Sequence, residues 1–264
     1  MRDDFVFKLG RQPKESDPRT LQLAGYVSAA PAPPVAVDWG SRVADWGMYA
    51  NDSVGDCAWA AMAHAELLWT SNTSSSPAVI TTAQVLGAYS AATGYNPNIT
   101  GPHGNPTDKG TSLLQALKYW RSTGLDQLKI TAFVEIDPHN TAHVQQALDW
   151  FGCLYAGLRL PDAVLPASPS SIPPWTVTPD GTSQTLPGHD NDHCVIYSAY
   201  DASGLTAVSW GTPVRTSWGF HAAYCEELYA AISPEWTGRG GQTPTGLDLA
   251  ALTADLKEVI GRGA

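Results

Sequence analysis

The side chains able to carry covalent chemistry here are four cysteines, at positions 57, 153, 194 and 225, set against seven histidines. A thiol attacks only as a thiolate, and a free thiol is mostly protonated at neutral pH. A helix N-terminus, whose unpaired N–H groups favour an anion, and a neighbouring imidazolium both lower its pKa. Cys57 stands where the first condition can be met: it follows Gly55-Asp56 and opens the apolar run CAWAAMAHAELLWT. A histidine from elsewhere must supply the second. His193 is the candidate, because it begins HCVIYSAY, a strand-like run that would hold its ring rigidly. His189, in the same segment GHDNDHC, is the rival base. The structural alternative for Cys57 is a small hydrophobe inside a buried helix, the common fate of a free cysteine. Cys153, Cys194 and Cys225 read as core thiols, His64 as a satisfied core histidine and Asp192 as a structural acceptor. No cysteines form a CxxC pair, and His139 and His143 bracket a helix start with no glutamate beside them. Neither a metal nor a cofactor is expected.

The elements that must position these groups follow from periodicity and turn residues. Residues 1–36 form an arm, polar at first and then AAPAPP, extended because each proline fixes its own φ and removes a donor. It reads as a strap across the surface or a removable propeptide. The first helix spans 57–70, with Ser53 and Asp56 as candidate N-caps, and is apolar nearly all round, as a buried helix is. Further helices are expected at 82–92, 112–122 and 141–151, the last capped by Asn140. Strands are expected at 128–136, 153–160, 194–200 and 204–210, with a hairpin turn at Asp201-Ala-Ser-Gly204. Residues 161–188, with seven prolines, read as a long surface loop. A short helix near 217–227 leads to a last strand, LYAAIS. After a Gly-rich linker, an amphipathic helix is expected over 246–260, where Leu249, Leu252, Leu256, Val259 and Ile260 recur at helical spacing. Helices in the first half and mainly strands in the second make an α+β arrangement in two lobes, helical over about 37–127 and mainly β over about 128–236.

The combination of local motifs resembles the papain-like cysteine peptidases. AVDWGSRVADWGMYANDSVGDCAWAA is similar to that family's entry segment, a Val-Asp-Trp followed some twenty residues later by the nucleophile. Asp192-His193-Cys194 matches its Asp-His-small motif at a strand start, and Ser209-Trp210-Gly211 its Ser-Trp-Gly. His193 also follows Cys57 at a spacing inside the roughly 130–150 residues usual there. Over residues 35–233 the resemblance implies a two-lobed fold, with the nucleophile helix in a helical lobe and a β-barrel-like second lobe. It implies Cys57 as nucleophile, His193 as base, and Asn51, six places before the nucleophile where the family carries Gln, as an oxyanion donor with the Cys57 N–H. Trp210 becomes the lid over the imidazole, with Ser209 and Asp192 in support. DKGTSLLQALKYWRSTG resembles the approach to the next helix and implies Lys109 and Gly110, together with Cys194, beside substrate. The sequence departs from the pattern at Val208, where the family's imidazole-orienting Asn stands, at Ala58, and at Val54 in place of a cysteine. NDSVGDC with the later SWG further resembles a papain-like group in bacteria and their phages.

Composition narrows the function classes. Fifteen basic against 25 acidic residues, a net charge of −10, and no Lys/Arg run exclude a nucleic-acid groove or an anionic membrane surface as the partner. No apolar stretch is long enough to span a membrane, and the charged N-terminus lacks a signal peptide's apolar core, so a cytoplasmic or virion-associated protein is expected. Three functions fit: a thiol hydrolase acting on a peptide or isopeptide bond of a protein substrate, a papain-fold protein that binds or builds without cutting, such as a virion component, and an acyl or glutamyl transferase using the same pair. The pattern sets no oligomeric state.

Overall fold

The structure, a computed structural model, describes residues 7–27, 31–74, 76–166 and 171–237. The linker and the amphipathic helix expected toward the C-terminus lie outside these residues, as does the side chain of His189. The core helix α1 spans Cys57–Thr73, and every side chain from Cys57 to Thr70 is buried. Around it stand α2 (Thr82–Thr93) and α3 (Leu113–Ser122). Thr81 opens α2 with a reciprocal capping box to Gln84, and Ser112 caps α3 at the Gln115 N–H.

The strands are β1 (Leu21–Gln22), β2 (Val37–Asp38), β3 (Ala132–Ile136), β4 (Leu154–Pro161), β5 (Pro187–Asp201), β6 (Gly204–Ser209), β7 (Thr212–Ser217) and β8 (Cys225–Ile232). They form one sheet in the order β1-β3-β8-β4-β5-β6-β7, with β2 added on β5. All pairings are antiparallel except that of β1 with β3. The sheet is mixed and open, which corrects the expected barrel-like lobe: β1 and β7 end its hydrogen-bonded path and do not pair with each other. Two further expectations change, and β7 is a strand beyond those expected. β5 begins at Pro187, in a run that reads as loop: Pro187 pairs with Pro161, and Asp192 and His193 pair with Arg159 and Leu158, with an irregularity between. β7 carries Pro213, which is tolerated because β7 is an edge strand. The helix expected near 217–227 is confined to α5 (Trp218–Tyr224), and Cys225 already starts β8.

Side-chain alternation along the strands divides the core in two. Cys153, Tyr155, Cys194, Ile196, Val208 and Tyr229 face α1 and its neighbours. Leu154, Ala156, Val195, Tyr197, Ala207 and Leu228 face the other way. They meet α5 and the helix α4 (Thr141–Phe151), which Asn140 caps at the His143 N–H. The N-terminus of α1 therefore abuts the middle of the sheet, at β5.

Candidate active site

Cys57 is the first residue of α1, where the leading N–H groups lack the carbonyls of a preceding helical turn. Asp56 precedes it with φ −101° and ψ 20°, and its carbonyl accepts the N–H groups of Trp59 at 2.7 Å and Ala60 at 3.0 Å. Its carboxyl does not cap the helix, contrary to expectation, but accepts from Asn51 Nδ2 at 3.2 Å. Ser53 does not cap it either, bonding instead to Ala50 O and Asp52 within the preceding turn. The Cys57 thiol is fully buried and faces the backbone N–H groups of Cys194 and Gly10. Burial pushes it up to about 12, outweighing those donors.

His193 enters from β5, paired across the ladder with Leu158. Its Nε2 lies 2.8 Å from Ser209 Oγ, and its ring stacks on Trp210 with centroids 4.5 Å apart and 19° between planes. Trp210 holds this place from the tight β6–β7 turn, at φ +48° before Gly211 at +69°. The position that would carry an orienting amide is Val208, whose side chain belongs to the core, and Ser209 takes up the second ring nitrogen instead. Nδ1 is buried with no hydrogen-bond partner. His193 and Cys57 are therefore not hydrogen-bonded to each other in this state. Burial, reinforced by the Arg11 charge, lowers the imidazole to about 3, so the imidazole and the thiol are both neutral.

The seam between α1 and the sheet is filled by the chain's own arm. Phe7 is buried and stacks on the Trp210 ring, 4.8 Å between centroids. The Lys8 N–H donates to Asp52 O at 2.9 Å, and the Thr111 N–H donates to Gly10 O at 2.9 Å. The Gln12 N–H donates to Thr111 O at 3.0 Å, so Arg11 forms a parallel bridge with Thr111. Gly10 passes so close that an added Cβ would lie 2.0 Å from Gly55 O, while a Cβ on Gly110, at φ +71°, would lie 2.0 Å from Gly10 O. Only glycines allow the three backbones this approach. Lys109 accepts from the Gln12 side chain through its carbonyl. Cys194 turns its side chain into the α1 core beside Tyr155, leaving its backbone at Cys57. The Asn51 amide also bonds Val54 O at 3.4 Å, so its hydrogens are turned toward the loop and Asp56.

One residue beyond Gly10, the Arg11 guanidinium is fully buried among three carboxylates. Nη1 donates to Glu227 Oε1 at 2.7 Å, and Nη2 to Glu226 Oε2 at 2.6 Å and to Asp192 Oδ1. Adjacent residues of a regular strand point to opposite faces, yet Glu226 and Glu227 both reach Arg11. A bulge allows it: Gly157 pairs with Glu227 and Leu158 with Cys225, leaving Glu226 as the extra residue. Burial alone would lower the arginine pKa, but the bond to Glu226 and the charges of Asp192 and Glu227 hold it above its ordinary value.

Sequence reasoning did not single out Gly10, Arg11, Thr111, Glu226 or Glu227. The one signal available was the pair Glu226-Glu227, set directly before the apolar strand LYAAI. The described residues contain no group of three or more Cys, His, Asp or Glu able to hold a metal ion, and no helix long and apolar enough to cross a membrane.

No protein family's sequence profile matches the chain, and no curated protein matches it. Solved structures do. Xylellain, a cysteine protease from Xylella fastidiosa, superposes with a TM-score of 0.66 at 12% identity, over 88% of this chain and 98% of that one. Digestive procathepsin L2 from Tenebrio molitor larval midgut gives 0.59 at 10% identity, over 88% and 80%. Procathepsin L 3 from the same source gives 0.57 at 11% identity, over 86% and 77%. At such identities the likeness is one of fold, and the fold is papain-like.

Proposed function

We propose that this papain-fold chain is a thiol hydrolase acting on a peptide or isopeptide bond, with Cys57 as nucleophile and His193 as its base. The observation that carries this reading is the site's framing. A cysteine at the N-terminus of the buried helix faces a strand whose histidine is held on one side by Ser209 and covered by Trp210. Another polypeptide segment already lies over the thiol. In the working state the imidazole takes the thiol proton through Nδ1, the ring nitrogen with no partner here, and the thiolate attacks the carbonyl carbon. The proton then passes to the leaving amine, and water releases the acyl group from the sulfur. The Cys57 N–H supplies one oxyanion donor; Asn51 supplies a second once its amide leaves Asp56. An acyl or glutamyl transferase would differ only in the acceptor that replaces water.

The arm-covered state is inactive on this reading, because burial leaves both groups neutral. The test is therefore made on a full-length variant whose arm cannot seat, Gly10→Ala. Iodoacetamide alkylation of Cys57 is followed against pH, with His193→Ala added in parallel. A reactive limb well below the free-thiol pKa of about 8.5 that vanishes with His193→Ala supports the pair. A limb at the free-thiol value refutes it. That outcome favours a non-cutting, binding or structural protein of the kind bacteria and their phages would carry, a reading supported by the engagement of the Asn51 amide with Asp56.

A further inference from the structure

Three carboxylates surround the Arg11 guanidinium. Glu227 is wholly buried, and its second oxygen accepts from Tyr229 Oη at 3.2 Å. Asp192 and Glu226 stand at the mouth, with side chains 20% and 37% exposed. Gly157 keeps the space open: a Cβ there would lie 2.6 Å from Glu227 Cγ and 3.0 Å from Arg11 Cδ. Arg159 reaches only Glu226, at 3.4 Å, so no basic side chain of the described residues other than Arg11 is hydrogen-bonded to Glu227.

From these observations we infer that the cluster of Glu227, Glu226 and Asp192 is a substrate subsite for an arginine side chain, filled by Arg11 while the arm covers Cys57. The site is one residue along the chain from the segment facing the thiol. Any polypeptide that replaces the arm must present a side chain there. A neutral occupant leaves a buried carboxylate uncompensated, whereas a guanidinium restores all three bonds. The fork of Nη1 toward Glu227 and Nη2 toward Glu226 and Asp192 also separates arginine from lysine, whose single ammonium cannot span both sides. This inference names the substrate class of the hydrolase proposed above and rests on that reading only for the chemistry after binding.

The experiment keeps the two apart by measuring binding and cleavage separately on full-length protein. The arm is unseated by Gly10→Ala with Arg11→Ala. In the Cys57→Ala background, calorimetry compares the peptide FKLGRQP, the sequence of residues 7–13, with the same peptide carrying citrulline for arginine. Citrulline keeps the shape and removes the charge. The arginine peptide is expected to bind at least tenfold tighter, and Glu227→Gln to erase the difference. If Glu227→Gln does not fold, Glu226→Gln with Asp192→Asn, at the exposed mouth, must reduce it severalfold. With Cys57 present, fluorogenic peptides carrying arginine, lysine, citrulline or leucine at each position near the scissile bond should be cut fastest with arginine at one position. Equal binding of the arginine and citrulline peptides overturns the subsite, whether or not cleavage occurs. Discrimination without any cleavage retains the subsite and overturns the hydrolase.

Discussion

Replacing Gly10 by alanine is the sharpest perturbation the structure offers. The new Cβ would lie 2.0 Å from Gly55 O, 2.3 Å from its carbonyl carbon and 2.4 Å from its Cα, all backbone atoms that no rotamer can move. The arm must therefore lift. With it go four backbone hydrogen bonds, made by the N–H groups of Lys8, Arg11, Gln12 and Thr111 at 2.9, 3.2, 3.0 and 2.9 Å. At about 1 kcal/mol net each, their loss totals about 4 kcal/mol. Exposing the Phe7 ring adds about 2 kcal/mol. Regained chain entropy, at about 1–2 kcal/mol per freed residue, offsets much of both. The buried Arg11 contacts to Glu227, Glu226 and Asp192 are lost as well, and each ~1.4 kcal/mol by which the clash raises the covered state multiplies the open population tenfold. The assay is the second-order rate of Cys57 alkylation at pH 6.5, read by peptide mass spectrometry, with buried Cys153 and Cys225 as internal references. Wild type should react slowly and Gly10→Ala at least tenfold faster, with the references unchanged. A wild-type Cys57 as reactive as the variant's would refute the arm as the cover. Equal acceleration at Cys153 and Cys225 would mean that the variant loosens the whole fold.

Other consequences are directly measurable. Ser209→Ala leaves the second nitrogen of His193 buried without its partner at 2.8 Å and should cost about 1–3 kcal/mol. At about 2–4 °C per kcal/mol for a chain of this size, thermal unfolding should read a drop of roughly 2–12 °C. His64 is held down to about 4, chiefly by burial, below its ordinary value of 6.5. It thus contributes stability in full above pH 6.5, and this is lost as pH falls toward 4. His64→Gln should make the acid limb of stability against pH shallower by about 1.4 kcal/mol per pH unit. Glu66 has the opposite sign: burial, against the Trp120 indole bond at 2.9 Å, raises it to about 8. Its contribution is present below pH 4.5 and lost as pH rises through 8. Glu66→Gln should therefore gain in Tm over wild type on going from pH 6 to pH 9; an unchanged difference refutes the buried, protonated carboxyl.

The parts governed by local rules are legible in the sequence alone. The all-round apolar run from Cys57 makes a buried helix wherever it packs. Thr81 with Gln84, Ser112 and Asn140 start α2, α3 and α4 because capping involves only neighbours three residues away. Asp201 to Gly204 turns the β5–β6 hairpin by the same kind of local chemistry. Where register decides, the sequence was silent. The polar residues before His193 join β5 only because β4 lies alongside, and Pro213 sits in a strand only because that strand is an edge. The tertiary structure alone brought Arg11 to Glu227, across 216 residues, and threaded Gly10 between Gly55 and Gly110. It also handed the second nitrogen of His193 to Ser209 in place of an amide at Val208. Each of these depends on a bulge, a backbone approach or a cross-strand register, and these are properties of two chain segments meeting. No periodicity within one segment encodes them.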